Sequence, residues 1–331
     1  MTWSFSNSAW GLLAGLAAPP TSAPPPPLLL GLPVACDLAS QCSIQKLVDH
    51  ASGPERRDYR CGTLTTDGHD GTDIRVRREA DVRAGIDILA AADGTVLRVR
   101  DGMPDISVRD PAAASVAGRE AGNAVVLDHG GGWVTQYSHL MRGSIAVQPG
   151  ARVRRGQAIG RMGLSGQTEY PHLHFEVRLN DRTIDPFAVD FTGDCSIPVR
   201  SMWDKAAAEQ LVYRETVILT AGFTDSPQMV TRTRSIDPLQ RTVQTAPALI
   251  LWASVTGIRP NDRQSFRITS PSGDVILDRV TLVDKGALDW FAYAGAPRQG
   301  QGWAKGRYRG TYSLIRNGKV IGHAEADVTV E

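Results

Sequence analysis

One stretch near the middle of the chain, Pro171–Leu179, reads PHLHFEVRL and alternates between polar and apolar residues. A period of two residues predicts a half-buried β-strand with one packed face and one outward face. His172 and His174 then share a face, so that one can bind a metal ion while the other reaches a metal-bound water. The alternative is a pair of surface histidines on an edge strand.

A second candidate group is formed by His69 and Asp73, in the stretch GHDGTD. The glycines and threonines around them predict a loop that leads into a strand at Asp73–Val76. Imidazole and carboxylate are preferred ligands of zinc when no thiolate is offered, and three protein ligands with one open position make a hydrolytic site. Together with His174, this pair predicts a His-Asp-His zinc site with a net charge of about +1.

A third candidate residue, His139, lies at the end of a predicted hairpin. Asn123–His129 is predicted to be a strand, the glycines at 130–132 a tight turn, and Trp133–Leu140 the return strand. At a strand end, His139 can point into a cleft, or it can simply be a polar terminal residue. Three other histidines have no ligand spacing and are interpreted as structural or solvated: His50, His129 and His323.

Composition and motifs narrow the class of protein. The 36 Lys and Arg residues balance 35 Asp and Glu residues, so no overall basic charge indicates a nucleic-acid partner. The length of 331 residues and a hydrophobic content of 42% predict about two domains with real cores. The sequence contains no H-E-x-x-H motif, no G-x-S-x-G motif and no phosphate-binding glycine loop.

The N-terminal region, residues 1–35, is interpreted as a leader or a proline-rich linker. Ala9–Ala18 is apolar but too short to span a membrane, and it resembles a signal-peptide core without a preceding Lys or Arg. The proline-rich run Pro19–Pro27 predicts an extended linker. Leu28–Val34 is a second short apolar run that can equally be the leader core. No longer apolar run follows, so no integral membrane span is expected.

The four cysteines have no C-x-x-C spacing. Cys36 and Cys42 are close enough in sequence to form a local bridge. Cys61 and Cys195 bracket the segment that holds the candidate site, and a bridge between them can tie its two ends together. An even number of cysteines flanking a domain predicts disulfides and an oxidising compartment. Four unpaired buried thiols are the alternative.

The segment from about Gly68 to Phe187 resembles the lysostaphin-type (LytM-like) zinc metallopeptidases, which cut the peptide part of the bacterial cell wall. The match covers most of a domain in order and spacing. The matching motifs are GHDGTDI at 68–74, ILAAADGTV at 88–96, GNAVVLDHG at 122–130, TQYSHL at 135–140, VRRGQAIG at 153–160, PHLHFEVR at 171–178 and DP at 185–186.

This resemblance implies a role for each candidate residue. His69, Asp73 and His174 would be the zinc ligands, His172 the general base, and His139 a donor to the oxyanion. The implied activity is a peptidoglycan endopeptidase acting on stem peptides. Non-catalytic members of the same fold, which bind and activate another cell-wall hydrolase, usually lack one or more ligands, whereas this chain has all five residues. A purely structural zinc site would use four protein ligands.

Two segments depart from the family pattern. Asp101–Glu120 is an insertion that can border the groove and change which peptide fits. Just before the His-Leu-His strand, Glu169 and Tyr170 replace a serine-threonine-glycine run, so substrate contacts are expected to differ there.

The composition changes after Asp185-Pro186. A short helix is predicted at Asp204–Glu215, and Asn317-Gly318 predicts a hairpin turn. Several aromatic residues are interpreted as core or as a carbohydrate-binding face: Trp252, Trp290, Trp303 and Tyr308. The predicted strands are Glu215–Ala221, Ala248–Thr256, Gln264–Thr269, Asp274–Leu282, Leu288–Ala294, Tyr308–Arg316 and Lys319–Val330.

The sequence therefore predicts a mostly β protein. A compact antiparallel β-sheet metallopeptidase domain is expected at residues 36–198, and an accessory β-sandwich of immunoglobulin-like architecture at residues 199–331. The expected setting is periplasmic or secreted. The expected partners are zinc and peptidoglycan stem peptides, with cell-wall or divisome proteins as candidate partners of the C-terminal domain.

Overall fold

The computed structural model describes residues 28–232 and 237–331. The two N-terminal runs Ala9–Ala18 and Pro19–Pro27 lie outside the described residues. Among the described residues, no helix has the length and apolar character needed to cross a bilayer. The described chain is mostly β, as predicted.

The first part of the described chain is built on an antiparallel sheet with the strand order β1-β2-β9-β6-β5-β4-β7, and β10 pairs with β9. Strands β3 and β8 form a separate antiparallel pair. A short helix, α1, spans Glu79–Ala84. The strands are Cys42–Lys46 (β1), Thr72–Val76 (β2), Asp87–Leu89 (β3), Gly94–Arg100 (β4), Asn123–Gly130 (β5), Trp133–Leu140 (β6), Arg152–Val153 (β7), Ala158–Arg161 (β8), His172–Leu179 (β9) and Arg182–Thr183 (β10).

Strand β9 has the two faces that its alternating sequence predicts. Leu173, Phe175 and Val177 are buried in the hydrophobic core of this sheet. His172 on the other face is also buried, because loops and neighbouring strands cover that face and enclose a cavity. The outward face is therefore the floor of a site rather than a free surface.

The core of the first sheet extends beyond the predicted 36–198 segment. Leu30 and Trp203 are both buried in it. The Leu30 amide donates to the Met202 carbonyl, and the Asp204 amide donates to the Leu30 carbonyl, at 2.8 Å each. These contacts tie residues before position 36 and after position 198 to the first sheet. The domain boundaries stay a prediction.

Both predicted disulfides are present. Cys36 is joined to Cys42, and Cys61 to Cys195 across 134 positions of sequence. The second bridge ties the loop that precedes β2 to the segment that follows β10.

The C-terminal part contains two sheets around a second hydrophobic core. One sheet has the order β11-β13-β16 and the other β12-β18-β17-β14-β15, with β12 parallel to β18 and the other pairs antiparallel. The strands are Val217–Thr224 (β11), Arg241–Thr242 (β12), Ala248–Ile258 (β13), Arg263–Thr269 (β14), Val275–Leu282 (β15), Ala287–Pro297 (β16), Gly306–Arg316 (β17) and Lys319–Val330 (β18).

Two further helices are α2 at Lys205–Gln210, which packs into the core of the first sheet through Ala207, and α3 at Pro227–Arg232. Helix α2 is shorter than predicted at its C-terminal end. Its N-terminus is capped by the Asp204 side chain, which accepts a hydrogen bond from the Ala207 amide at 2.7 Å. The predicted aromatic residues serve packing. Trp303 and Tyr308 are buried in the second core and Trp290 packs against it, whereas Trp252 is buried against the Phe291 ring.

Candidate metal centre and catalytic site

Three side chains predicted to bind zinc converge in the structure. Asp73 in β2 and His174 in β9 are cross-strand partners, and His69 lies in the loop before β2. Asp73 Oδ1 is 3.1 Å from His69 Nε2 and 2.8 Å from His174 Nδ1. One donor atom from each residue lies within 4.8 Å of the other two. The pairing of β2 with β9 therefore brings His69 and Asp73 of one motif next to His174 of the other.

The His69 ring is oriented by a backbone group. Its Nδ1 lies 2.8 Å from the Leu47 carbonyl oxygen, which can only accept, so Nδ1 carries the proton. In the neutral ring, Nε2 then offers a lone pair towards Asp73. Fixing the tautomer through the second ring nitrogen is how proteins prepare histidine ligands.

Asp73 is buried beside Lys46 and the candidate histidines. Lys46 Nζ lies 2.9 Å from Asp73 Oδ2. Burial is the largest influence on this carboxyl and favours the neutral acid. The nearby His69, His172 and Lys46 outweigh it together and hold the pKa of Asp73 well below its usual range. Asp73 is therefore an anion, the form that binds a metal ion.

His174 is surrounded by carboxylates. Its Nε2 lies 3.2 Å from Asp70 Oδ1 and 3.4 Å from Glu176 Oε1, while its Nδ1 faces Asp73. Burial alone would lower the pKa of His174, but hydrogen bonds to these three carboxylates raise it well above its usual range. The carboxylates that stabilise a positive charge on this ring would also favour a metal cation held by His174.

This donor set fits zinc. Two imidazole nitrogens and one carboxylate oxygen are the ligands of hydrolytic zinc sites, which leave a fourth position open. His69 has its tautomer fixed by Leu47, and His174 has its second nitrogen close to Glu176. Carboxylates and carbonyls in those positions are the usual outer partners of zinc-binding histidines.

His172 lies beside the ligand cluster. Its Nδ1 is 3.0 Å from the Tyr170 carbonyl oxygen, so the proton sits on Nδ1 and Nε2 is bare. Nε2 lies 3.6 Å from Asp73 Oδ1. Burial lowers the pKa of His172 to about 4 against the opposing charge of Asp73. At neutral pH His172 is a proton acceptor next to the metal ligands.

His139 completes the group at the end of β6. Its ring centroid is 4.6 Å from that of His172, and its Nδ1 is 2.8 Å from the Ser165 carbonyl oxygen. Its backbone has a φ of 63°, a left-handed conformation that is uncommon outside glycine. Burial, followed by the charges of His172 and His174, lowers the pKa of His139 well below its usual value. The resting ring is therefore neutral, with the proton on Nδ1.

Gly71 allows the His174 ring to come close. A Cβ on Gly71 would lie 2.8 Å from His174 Nε2 and 2.8 Å from the Phe175 carbonyl oxygen. Both distances are shorter than real Cβ contacts.

We expect Gly71→Ala to displace the His174 ring and to weaken zinc binding by about tenfold to a hundredfold, as changes in the support of a ligand do. Zinc affinity by competition with a chelator is the measurement. Gly53→Ala is the control, because its Cβ would meet only the end of the Glu55 side chain. Equal zinc affinity in the two variants would contradict the role given to Gly71.

The five residues line one cavity of about 660 Å³. The sequence analysis did not single out several other lining residues; some lie inside the quoted motifs and others come from distant segments. Glu176 belongs to the quoted strand, but its contact with His174 depends on side-chain packing. The lining residues missed from the sequence include Gln45, Lys46, Asp70, Glu176, Leu288 and Asp289.

Strand β1 brings Gln45 and Lys46 to the cavity through a bulge. The register with β2 shifts between Ile44 and Lys46, so that Lys46 is paired with Asp73. Gln45 is fully buried, and its side-chain oxygen and nitrogen have no hydrogen-bond partner among the described residues. Bulges commonly redirect side chains beside active sites.

The remaining histidines stand apart from the cavity lining. His50 Nε2 lies 2.8 Å from Asp185 Oδ2, and His129 bonds the Asp93 carbonyl and the Thr135 hydroxyl. His323 is exposed on β18. All three have the structural or solvated environment that their lack of spacing indicates.

A profile described as Peptidase family M23 matches residues 67–186. This chain contains an M23 peptidase domain. Among curated relatives, the peptidoglycan DD-endopeptidase ShyA of Vibrio cholerae is 34% identical over 105 residues, covering 30% of this chain and 24% of the relative. The peptidoglycan DD-endopeptidase ShyB of the same organism is 33% identical over 137 residues, covering 41% and 26%. The matches span about a quarter of the length of these relatives.

Solved structures of bacterial peptidases are also similar to part of this chain. The catalytic domain of lysostaphin from Staphylococcus simulans has a TM-score of 0.29 and 20% identity, covering 45% of this chain and 90% of that one. A zinc-containing peptidase from Vibrio cholerae has a TM-score of 0.28 and 30% identity, covering 43% and 38%.

Proposed function

We propose that this chain is a zinc metallo-endopeptidase that hydrolyses peptide cross-links of bacterial peptidoglycan. The observation that carries the proposal is the pair of histidines beside the ligand cluster. His139 and His172 each bond a backbone carbonyl through Nδ1, which leaves Nε2 bare. A structural zinc site does not require two imidazoles with a bare nitrogen beside the ligands. Hydrolysis requires a general base for the water and a second polar group that contacts the reacting carbonyl.

His69, Asp73 and His174 would hold zinc, which when bound lowers the pKa of a water molecule and polarises a carbonyl group. His172 accepts a proton from the attacking water at Nε2 and returns it to the leaving amine. The Tyr170 carbonyl keeps the His172 ring in the tautomer that this transfer requires. No covalent intermediate with the protein is needed.

His139 is proposed to serve the oxyanion of the tetrahedral intermediate. Because its resting proton is bound to the Ser165 carbonyl, Nε2 must gain a second proton before it can donate. The negative charge that develops on the substrate favours this protonation at the moment it is useful. Burial lowers the pKa of His139, so Nε2 takes up this second proton from solvent only as the oxyanion forms.

Two further points belong to the proposal. The disulfides support an oxidising location, periplasmic or secreted. The names of ShyA and ShyB, peptidoglycan DD-endopeptidases, support peptidoglycan as the substrate, and the oxidising location favours directly joined stem peptides over glycine bridges. Binding of cell-wall or divisome proteins by the C-terminal sheets remains a prediction.

The proposal is tested by incubating purified protein with muropeptide dimers before and after removal of metal by a chelator. We expect the zinc-loaded protein to release monomers, the stripped protein to be inactive, and added zinc to restore cleavage. Intact dimers after incubation with the zinc-loaded protein would contradict the proposal and favour a regulator that activates another hydrolase.

A further inference from the structure

The two segments that depart from the family pattern contact each other. In the insertion Asp101–Glu120, the Val108 amide donates to the Thr168 carbonyl, and the Ser107 hydroxyl donates to the Glu169 carbonyl, at 3.0 Å each. Arg109 and Glu169 form an ion pair. The insertion is therefore fastened to the loop before β9.

A third segment reaches the same place from the C-terminal sheets. Arg75 Nη1 donates to Asp289 Oδ1 at 3.1 Å, and the Arg75 guanidinium lies 4.0 Å from the centre of the Tyr170 ring. Leu288 packs against the core of the first sheet. The Arg75 and Asp289 side chains are only 12% and 20% exposed, so this ion pair is far less open to water than an ordinary surface pair.

These three segments line the candidate catalytic cavity together. We call this set the composite wall; its members are Val108, Glu169, Tyr170, Leu288 and Asp289. Arg75 and Arg109, which hold the two carboxylates, are not among the cavity-lining residues. The wall thus offers the cavity apolar surface from three residues and carboxylates from two.

We propose that the composite wall contacts the peptide arm of the substrate and that Leu288 and Asp289, from the C-terminal sheets, are specificity-determining residues. The inference rests on the proposed function. Leu288 and Asp289 line the cavity but belong to β16, a strand of another sheet, so a change in them can alter the fit of a substrate without moving a metal ligand. The C-terminal sheets are then part of the peptide-binding site.

The test compares four zinc-loaded proteins: the wild type, Leu288→Ala, Asp289→Asn and Asp278→Asn. Asp278 is the matched control because it pairs with Arg267 between β14 and β15, is half exposed and lies outside the cavity lining. With muropeptide dimers, we expect the two wall variants to raise KM about tenfold with kcat within about twofold of the wild type, as loss of a substrate contact does. The control should match the wild type.

An unchanged KM in both wall variants would overturn the inference. It would also be overturned if kcat, zinc content and unfolding temperature all fell together in both variants, because that pattern indicates a structural role. Asp289→Asn keeps the shape of the side chain, so it guards against a simple loss of folding.

The same substitutions are then made in a His172→Ala background, and binding of intact dimers is measured by calorimetry. The first outcome is that the wild type does not cleave dimers, but the wall substitutions lower the affinity for dimers in the His172→Ala background. The inference about the composite wall then holds and the endopeptidase proposal fails. Equal dimer affinity in all the proteins, or no binding by any of them, overturns the wall.

Discussion

Replacing Asp73 with Asn should weaken zinc binding by about a hundredfold to a thousandfold, roughly the share of one ligand in a typical site. A single oxygen of this residue faces both His69 Nε2 and His174 Nδ1, so its negative charge joins the two imidazoles. An amide oxygen has the same shape but no charge. The measurement is zinc content after dialysis together with the dissociation constant from chelator competition.

Asp185→Asn is the matched control for this experiment. Asp185 is also a buried carboxylate bonded to a histidine, with His50 Nε2 at 2.8 Å from its Oδ2, but it does not line the cavity. We expect Asp185→Asn to affect stability and to leave zinc affinity unchanged. Full zinc retention and activity in Asp73→Asn would show that the metal centre lies elsewhere.

Replacing His172 with Ala should lower kcat for muropeptide dimers by about a hundredfold to ten-thousandfold, the usual contribution of a general base. Its Nε2 is the bare nitrogen beside Asp73, so the substitution removes the proposed proton acceptor and this alone accounts for the fall in kcat. Zinc content should stay at the wild-type level, because His172 is not one of the three ligands. The kinetic measurement is therefore paired with metal analysis of the same sample.

His129→Ala provides the comparison for a histidine outside the site. Its two ring nitrogens are bonded at 2.7 Å to the Asp93 carbonyl and the Thr135 hydroxyl, so the substitution also removes a well-bonded imidazole. We expect kcat to be preserved there. Cleavage at the wild-type rate by His172→Ala would exclude this residue as the base.

Local patterns in the sequence were enough to predict most of the strands. Strand β9 covers His172–Leu179 where alternation indicated Pro171–Leu179, and the hairpin strand β6 covers Trp133–Leu140 as predicted. In the C-terminal sheets, β18 has the predicted bounds Lys319–Val330. These signals are readable because strand period and turn glycines depend only on neighbours in sequence.

Other parts of the site depend on long-range packing and had no such signal. Lys46 reaches Asp73 only because a bulge shifts the register of β1. Asp289 reaches Arg75 across more than half of the chain, from a strand whose own pattern indicates nothing but a sheet. The sequence marked Asp101–Glu120 and Glu169-Tyr170 as unusual, but it gave no reason to expect that they meet.

The left-handed backbone of His139 has a consequence for how this chain can change over time. A non-glycine residue in that conformation costs about 1–2 kcal/mol, which glycine would recover. Under the proposed mechanism the imidazole is needed. Selection for a more stable fold therefore favours glycine at position 139, whereas selection for catalytic turnover favours histidine.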